Sequence, residues 1–358
     1  MNIGEIARRS GVARSTVSYA LSGKRPVSAE TRQRIQAVID ELDYRPNASA
    51  RALKEGRTRT LGLVIPPAGA RLTSIQLGFV ASVVEAAARV DLDVLLSSSG
   101  EDQDRSFERL ISGQRVDGVI LMEIRMRDPR VARVARTGIP FVTIGRIAEP
   151  DGTWWVDVDI ATMVGRCVDH LAELGHRDIA LINRPAALVA AGYGPARRAH
   201  EGFAEAAGRR GVRGSEFSCG DDLAGGEKCV AEILAARPGT TAIVAANEAA
   251  LPGVQRGLER AGHEVPRTFS VVGVAADQWA EEFHPRLTAA DVPSLEMGTI
   301  AVDLLTERIA DPGAAARHHL LAPPISLRES TGPAPRPSAR PAFLRPATPM
   351  RLRGTDED

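Results

Sequence analysis

From Leu61 onward the chain alternates short apolar runs with stretches of helical periodicity, and no other feature restricts its fold as much. The runs are Leu61-Gly62-Leu63-Val64-Ile65, Val94-Leu95-Leu96, Gly118-Val119-Ile120-Leu121, Ile179-Ala180-Leu181-Ile182, Ala242-Ile243-Val244-Ala245 and Phe269-Ser270-Val271-Val272-Gly273. Runs that are apolar throughout mark strands buried on both faces, which calls for parallel pairing under helices on each side. Two such units follow one another, approximately 61–158 and 159–289, and the segment after Leu287 is long enough to cross back. Open parallel sheets collect ligands at the carboxyl ends of their strands, so a cleft between two such lobes is the expected small-molecule site.

The first residues obey a different rule. Ile3 to Leu21 reads as two short helices hinged at Gly11, with Ile6, Val12, Val17 and Leu21 as the buried face and small Ala7 where the helices meet. Arg14, Ser15 and Tyr19 then point outward, as a helix laid in a DNA major groove would hold them. Ser28 is placed to cap a third helix whose apolar stripe is Ile35, Val38, Ile39 and Leu42. Pro46 closes that helix, because proline disfavours helical geometry in the residue before it.

Charge separates the same two regions. Residues 1–60 carry 12 Lys/Arg against 6 Asp/Glu, a balance of +6, whereas the whole chain has 45 of each and sums to zero. The remaining residues therefore carry −6. A small basic module suits a polyanion, because each neutralised phosphate releases counterions.

Glu5-Ile6-Ala7, Gly11-Val12, Thr16-Val17-Ser18, Val27-Ser28, Tyr44-Arg45-Pro46-Asn47 and Ala50-Arg51-Ala52-Leu53 resemble the headpiece and hinge of the lactose-repressor (LacI/GalR) family. Val116-Asp117-Gly118, His170 to Arg177, Ala246-Asn247-Glu248, Ser270 to Gly273 and Arg328-Glu329-Ser330-Thr331 continue the likeness in that family's order. The resemblance covers roughly residues 2–331. It implies an all-α helix-turn-helix headpiece followed by an α/β periplasmic-binding-protein-like core of two parallel-sheet lobes joined by three crossovers. The expected division is a headpiece at 1–46, a hinge helix and linker at 47–60, and an effector-binding and dimerisation body at 61–331. Lobe 1 takes 61–158 and 290–325, and lobe 2 takes 159–289. Proline and scattered arginine at 332–358 predict a disordered tail.

The resemblance also assigns roles. Arg14, Ser15 and Tyr19 are expected at base edges, and Thr16, Ser18, Ser28 and Asn47 at phosphates, on a near-palindromic operator of double-stranded DNA read by a homodimer. Relatives usually carry serine where Ala13 stands, so a cap on the recognition helix is missing. Leu53 falls at the family's minor-groove wedge position in a hinge too short to be helical alone. The effector position is expected to be lined by Gln76, Arg146, Arg197, Asn247, Glu248 and Asp277. Here the chain departs from its family. Ala275 stands where a carboxylate usually grips sugar hydroxyls, so either Asp277 substitutes from a shifted loop or the effector is not held like a hexose. Glu248 is one methylene longer than the usual aspartate, and Thr73-Ser74-Ile75-Gln76 lacks the usual aromatics. A carbohydrate or related metabolite follows only from the family.

Other functions find little support. There is no Gly-x-Ser-x-Gly elbow, phosphate-loop motif or His-Glu-x-x-His pattern, so no catalytic residue, metal or cofactor is expected. Gly192-Tyr193-Gly194 reads as a turn, His170 and His176 as structural hydrogen-bonding residues, and His318-His319 as a solvated connection. Cys167, Cys219 and Cys229 lack metal spacing and suit a reducing compartment. No apolar run approaches the ~20 residues that a bilayer requires, and no export signal is visible, so a cytoplasmic, nucleoid-associated protein without membrane contact is expected. The alternative is a solute-binding protein of the same lobed fold.

Overall fold

The computed structural model describes residues 3–22, 25–43, 56–65, 72–98, 104–113 and 115–335. Asn47, Leu53 and most of the expected hinge lie outside the described residues, as does the tail from 336 onward.

Gly11 ends the first helix. Its φ of 65° is a left-handed conformation in which a side chain would be strained, and Val12 N–H returns 3.0 Å to the Ala7 carbonyl to close the helix end. Helix α1 (Ile3–Ser10), α2 (Arg14–Ser22) and α3 (Ala29–Glu41) enclose a core of Ile6, Ala7, Val17 and Ile35. Ser28 caps α3, accepting from Thr31 N–H at 3.3 Å.

The body begins with β1 (Thr60–Ile65), α4 (Ser74–Arg89), β2 (Asp93–Ser98), α5 (Asp104–Ser112), β3 (Gly118–Leu121), α6 (Pro129–Thr137), β4 (Phe141–Ile144) and β5 (Trp155–Val158). The second lobe follows with α7 (Ile160–Glu173), β6 (Asp178–Asn183), α8 (Ala186–Ala190), α9 (Gly194–Arg210), β7 (Arg213–Ser218), α10 (Leu223–Ala236) and β8 (Ala242–Ala245). It continues through α11 (Leu251–Arg260), β9 (Ser270–Ala275), α12 (Asp277–Glu282) and β10 (Thr288–Asp291). The chain then returns through α13 (Ser294–Ala310), β11 (His318–Leu321) and β12 (Ile325–Ser326).

Two six-stranded sheets result, ordered β11-β5-β4-β3-β1-β2 and β12-β10-β9-β8-β6-β7. Every pair is parallel except β10 with β12, as strands buried under helices require. The chain crosses between lobes after Val158, after Asp291 and after Leu321. Helix α13 packs along α4, and Gly298 permits the approach: a Cβ there would stand 1.8 Å from Ser82 Oγ.

Four expectations need correction. Leu21, expected on the buried face of the headpiece, is exposed and stands outside its core. The return to the first lobe starts at Ser294, not 290, because Thr288–Asp291 is laddered onto β9, and Ile325 belongs to the second sheet through its pairing with Ala290. His318-His319 is exposed, as expected, but forms the start of an edge strand and not a connection, with the His318 ring stacked 4.8 Å from Trp155. Residues 332–335 are docked rather than loose: Gly332 N–H donates to Ser270 Oγ at 3.1 Å and Ala334 N–H to the Leu174 carbonyl at 2.9 Å.

Candidate functional site

The two sheets turn their strand ends toward one another, and side chains from both lobes meet there around a cavity of about 100 Å³. The first lobe supplies Gln76 and Phe79 from α4, Glu123 after β3 and Asp157 from β5; the second supplies Arg184 after β6, Tyr193 before α9 and Glu248 after β8. Such a volume lies below the ~300–1,000 Å³ usual for ligand pockets, so a larger occupant requires the lobes to part.

Polar bonds hold them together. The Tyr193 hydroxyl donates to Glu123 Oε1 at 3.0 Å, and burial together with the Glu123 charge holds the phenol well above its ordinary pKa. The Arg184 guanidinium lies 5.5 Å from the Tyr193 ring centroid and pairs with Asp221 at 3.0 Å. Burial opposes the Arg184 charge, but Tyr193, Asp221 and Glu123 outweigh it and raise its pKa. Arg198 donates to the Arg146 carbonyl at 2.8 Å and approaches Asp157 to 3.8 Å. Burial raises the Asp157 pKa by more than Arg198 and Arg146 lower it.

Glu248, only 3 % exposed, reaches furthest. Its Oε1 accepts from Ile75 N–H at 3.0 Å, in the first turn of α4, and its Oε2 accepts from Ala276 N–H at 3.1 Å. A carboxylate thus stands beside Ala276, next to the position where Ala275 has none. Nearby, Trp279 Nε1 donates to Ser74 Oγ across the same seam.

The sequence-predicted residues divide into three groups. Gln76 and Glu248 line the cleft; Gln76 also accepts from Thr73 N–H at 2.9 Å, completing a capping box. Asn247 and Arg146 stand directly behind it. Asn247 is fully buried and donates to the Cys219 and Gly220 carbonyls at 3.2 and 3.3 Å, whereas Arg146 bonds Asp157 at 3.1 Å and packs over Trp155. Arg197 and Asp277 are placed outside the cleft. Arg197 faces solvent beside Glu201, one helical step of ~100° from inward-facing Arg198. Asp277 is exposed and paired with Arg328.

Sequence reasoning missed Glu123, Asp157, Arg184 and Tyr193. Arg184 was within reach, since it follows the β6 run by two residues. Arg184 Nε, Asp221 Oδ1 and Asn247 Oδ1 are buried without hydrogen-bond partners among the described residues. Of these three residues only Arg184 lines the cavity.

On the headpiece, Arg14 and Ser15 are exposed on the first turn of α2, with Thr16, Ser18 and Tyr19 half-buried along it. The Arg14 guanidinium lies across Gly4, where a Cβ would come within 2.7 Å of it, and Arg25 sits 5.2 Å over the Tyr19 ring. Val17 is fully buried, so the opposite face of α2 is left to the outer side chains.

A basic three-helix module ahead of two parallel-sheet lobes that clasp a cleft defines a regulatory protein that binds DNA and carries a small-molecule body. The pattern described as "Bacterial regulatory proteins, lacI family" matches residues 2–47, and that of a periplasmic binding protein-like domain matches residues 168–331. The HTH-type transcriptional regulator AglR of Rhizobium meliloti (strain 1021) is 31% identical over 345 residues, covering 94% of this chain and 95% of the relative. The ribose operon repressor of Escherichia coli (strain K12) is 29% identical, with 91% and 98% covered. The solved transcriptional regulator CelR–cellobiose complex superposes with a TM-score of 0.68 at 27% identity, covering 92% of this chain and 99% of that one. The chain belongs to the lacI family of bacterial regulatory proteins. It is a DNA-binding transcriptional regulator with a small-molecule effector, which sets aside the solute-binding alternative. Among the described residues no helix is long and apolar enough to cross a membrane.

Proposed function

We propose that the protein is a cytoplasmic, nucleoid-associated repressor without catalytic activity, whose operator affinity is set by a carbohydrate or related metabolite held between the lobes. The supporting observation is the convergence of Glu123, Arg184, Tyr193 and Glu248 from two lobes onto one cleft. Residues 1–46 act as headpiece, 47–60 as hinge and 61–331 as body. Arg14, Ser15 and Tyr19 read bases; Thr16, Ser18, Ser28 and Asn47 hold phosphates; Leu53 wedges into the minor groove. The effector meets Gln76 and Glu248 directly, with Asn247 and Arg146 holding the wall behind them. Cellobiose in the CelR complex and the name of the ribose operon repressor favour a neutral sugar.

Two headpieces are needed for a near-palindrome, and α4 offers a pairing face. Leu77, Ala81, Val84 and Ala88 are exposed at steps of four, three and four, the seam spacing of a helix pair. An unpartnered apolar stripe of this kind marks an association surface.

The test is a gel shift with DNA flanking the coding region at two salt concentrations, with cellobiose and ribose added in turn. A sequence-specific shift that a sugar weakens is the expected result. Salt-dependent binding without sequence preference, or a shift no sugar alters, overturns the proposal.

A further inference from the structure

Resting on the effector-site reading above, we infer that Glu248 is a built-in anion of the cleft: its carboxylate occupies the anion position at the N-terminus of α4, ties the lobes together and reserves the cleft for uncharged effectors.

A helix N-terminus presents unsatisfied N–H groups and a partial positive charge, and so attracts an anion. In α4 two first-turn donors are already taken. Thr73 Oγ1 accepts from Gln76 N–H at 3.3 Å, and Glu248 Oε1 accepts from Ile75 N–H at 3.0 Å. The second oxygen of the same carboxylate holds Ala276 N–H on the other lobe. One side chain therefore spans the seam between the two lobes with both of its oxygens, and it does so from a buried position.

Length makes the bridge. Glu248 sits in a short 3-10 turn that follows β8, one residue past buried Asn247, and the strand end fixes its Cα on the second lobe. An aspartate at that position loses one methylene of reach and holds one N–H at most. Around the cleft the carboxyl side chains of Glu123, Asp157 and Glu248 face one lining arginine, Arg184, which is already paired with Asp221. A second anion entering beside Glu248 would meet like charge in a site with few free donors. Sugars and other neutral hydroxyl compounds meet no such penalty.

Hydrogen exchange of the full-length chain, followed by mass spectrometry over residues 73–79, reads the Ile75 amide directly. In Glu248→Ala exchange there is expected to rise at least tenfold, and 50 mM sodium formate to restore protection by replacing the carboxylate. Sodium chloride at the same ionic strength restores nothing, and the wild type responds to neither salt. Unchanged exchange in the variant, or equal rescue by chloride, overturns the inference. Should Glu248→Ala fail to fold, Glu248→Asp serves with exchange followed at both Ile75 and Ala276: the shorter carboxylate frees at least one of the two amides, and full protection at both overturns the inference. A wild-type chain that ignores every DNA would instead overturn the regulator assignment and leave the exchange result standing.

Discussion

Tyr193, on the second lobe, donates its hydroxyl proton to Glu123 on the first, and the two stand on backbone that the fold has bent for them. Glu123 has a φ of 57°, unusual for a side-chain-bearing residue, and Tyr193 sits between glycines. An isolated bridge between Arg125 and Tyr193 and a 3.0 Å bond from Gly194 N–H to the Ile124 carbonyl fix the same seam. Tyr193→Phe keeps the packing and removes the donor. A hydrogen bond to a charged acceptor contributes ~1.5–3 kcal/mol, so calorimetry is expected to record a melting point roughly 3–10 °C lower. A melting point within 1 °C of the wild type (roughly the calorimeter's scatter) means the bond contributes nothing to closure.

Acid is expected to destabilise the body through its buried histidines. His176 is fully buried between Thr241 Oγ1, Ser270 Oγ and the Gly332 carbonyl, and burial lowers its pKa, as it does for His170. In the unfolded chain both titrate near the ordinary histidine value. Below it the unfolded state binds protons that the folded state refuses, so stability present at neutral pH is lost as pH falls from about 6.5. Each such histidine contributes a slope of up to ~1.4 kcal/mol per pH unit. Denaturant midpoints between pH 7.5 and 5.5 test this: His176→Asn is less stable at pH 7.5, yet its midpoint falls less steeply with acid. Parallel curves for the two proteins rule His176 out as a source of the slope.

The sequence carried the architecture well where burial was two-sided. The runs at Leu61, Gly118, Ile179, Ala242 and Phe269 are central strands, and their uniform apolarity is the mark of that position. Strand β7, reading Arg-Gly-Ser-Glu-Phe-Ser, pairs only with β6 at a sheet edge, so half its face is wet and no pattern betrays it. The headpiece was legible because Gly11 and Ser28 are local signals with local causes. The cleft was not, because Glu123, Asp157, Arg184 and Tyr193 are neighbours only after two lobes fold and meet. Arg197 shows the limit of resemblance: a single helical step decides which of two adjacent arginines faces inward.

Pairing through α4 has a direct test. Leu77 and Val84 are 53 % and 44 % exposed on one stripe of α4, whereas Ser82 is buried against α13. A charge placed in the middle of an apolar seam must be desolvated without a partner. Leu77→Glu combined with Val84→Glu is therefore expected to shift the sedimentation coefficient from dimer to monomer at micromolar concentration, with the melting of the monomer body little changed. A doubly substituted chain that still sediments as the wild type does places the association surface elsewhere.

The headpiece is the weakest-built part of the described chain. Its core consists of four buried residues, Ile6, Ala7, Val17 and Ile35; its sequence has no cysteine, and among the described residues no side-chain cluster could hold a metal. A core of that size supplies at most ~3–5 kcal/mol, and removing the fully buried Ile35 side chain costs ~2–5 kcal/mol. Ile35→Ala is thus expected to unfold the headpiece while the lobes, with their separate cores, stay intact. In a gel shift the variant loses specific binding by at least a hundredfold, and in calorimetry the main transition of the body stays within about 1 °C of the wild type. Retained operator affinity would mean that contacts beyond these three helices hold the headpiece in shape, and a lowered body transition would mean that the headpiece is part of the lobes' own cooperative unit.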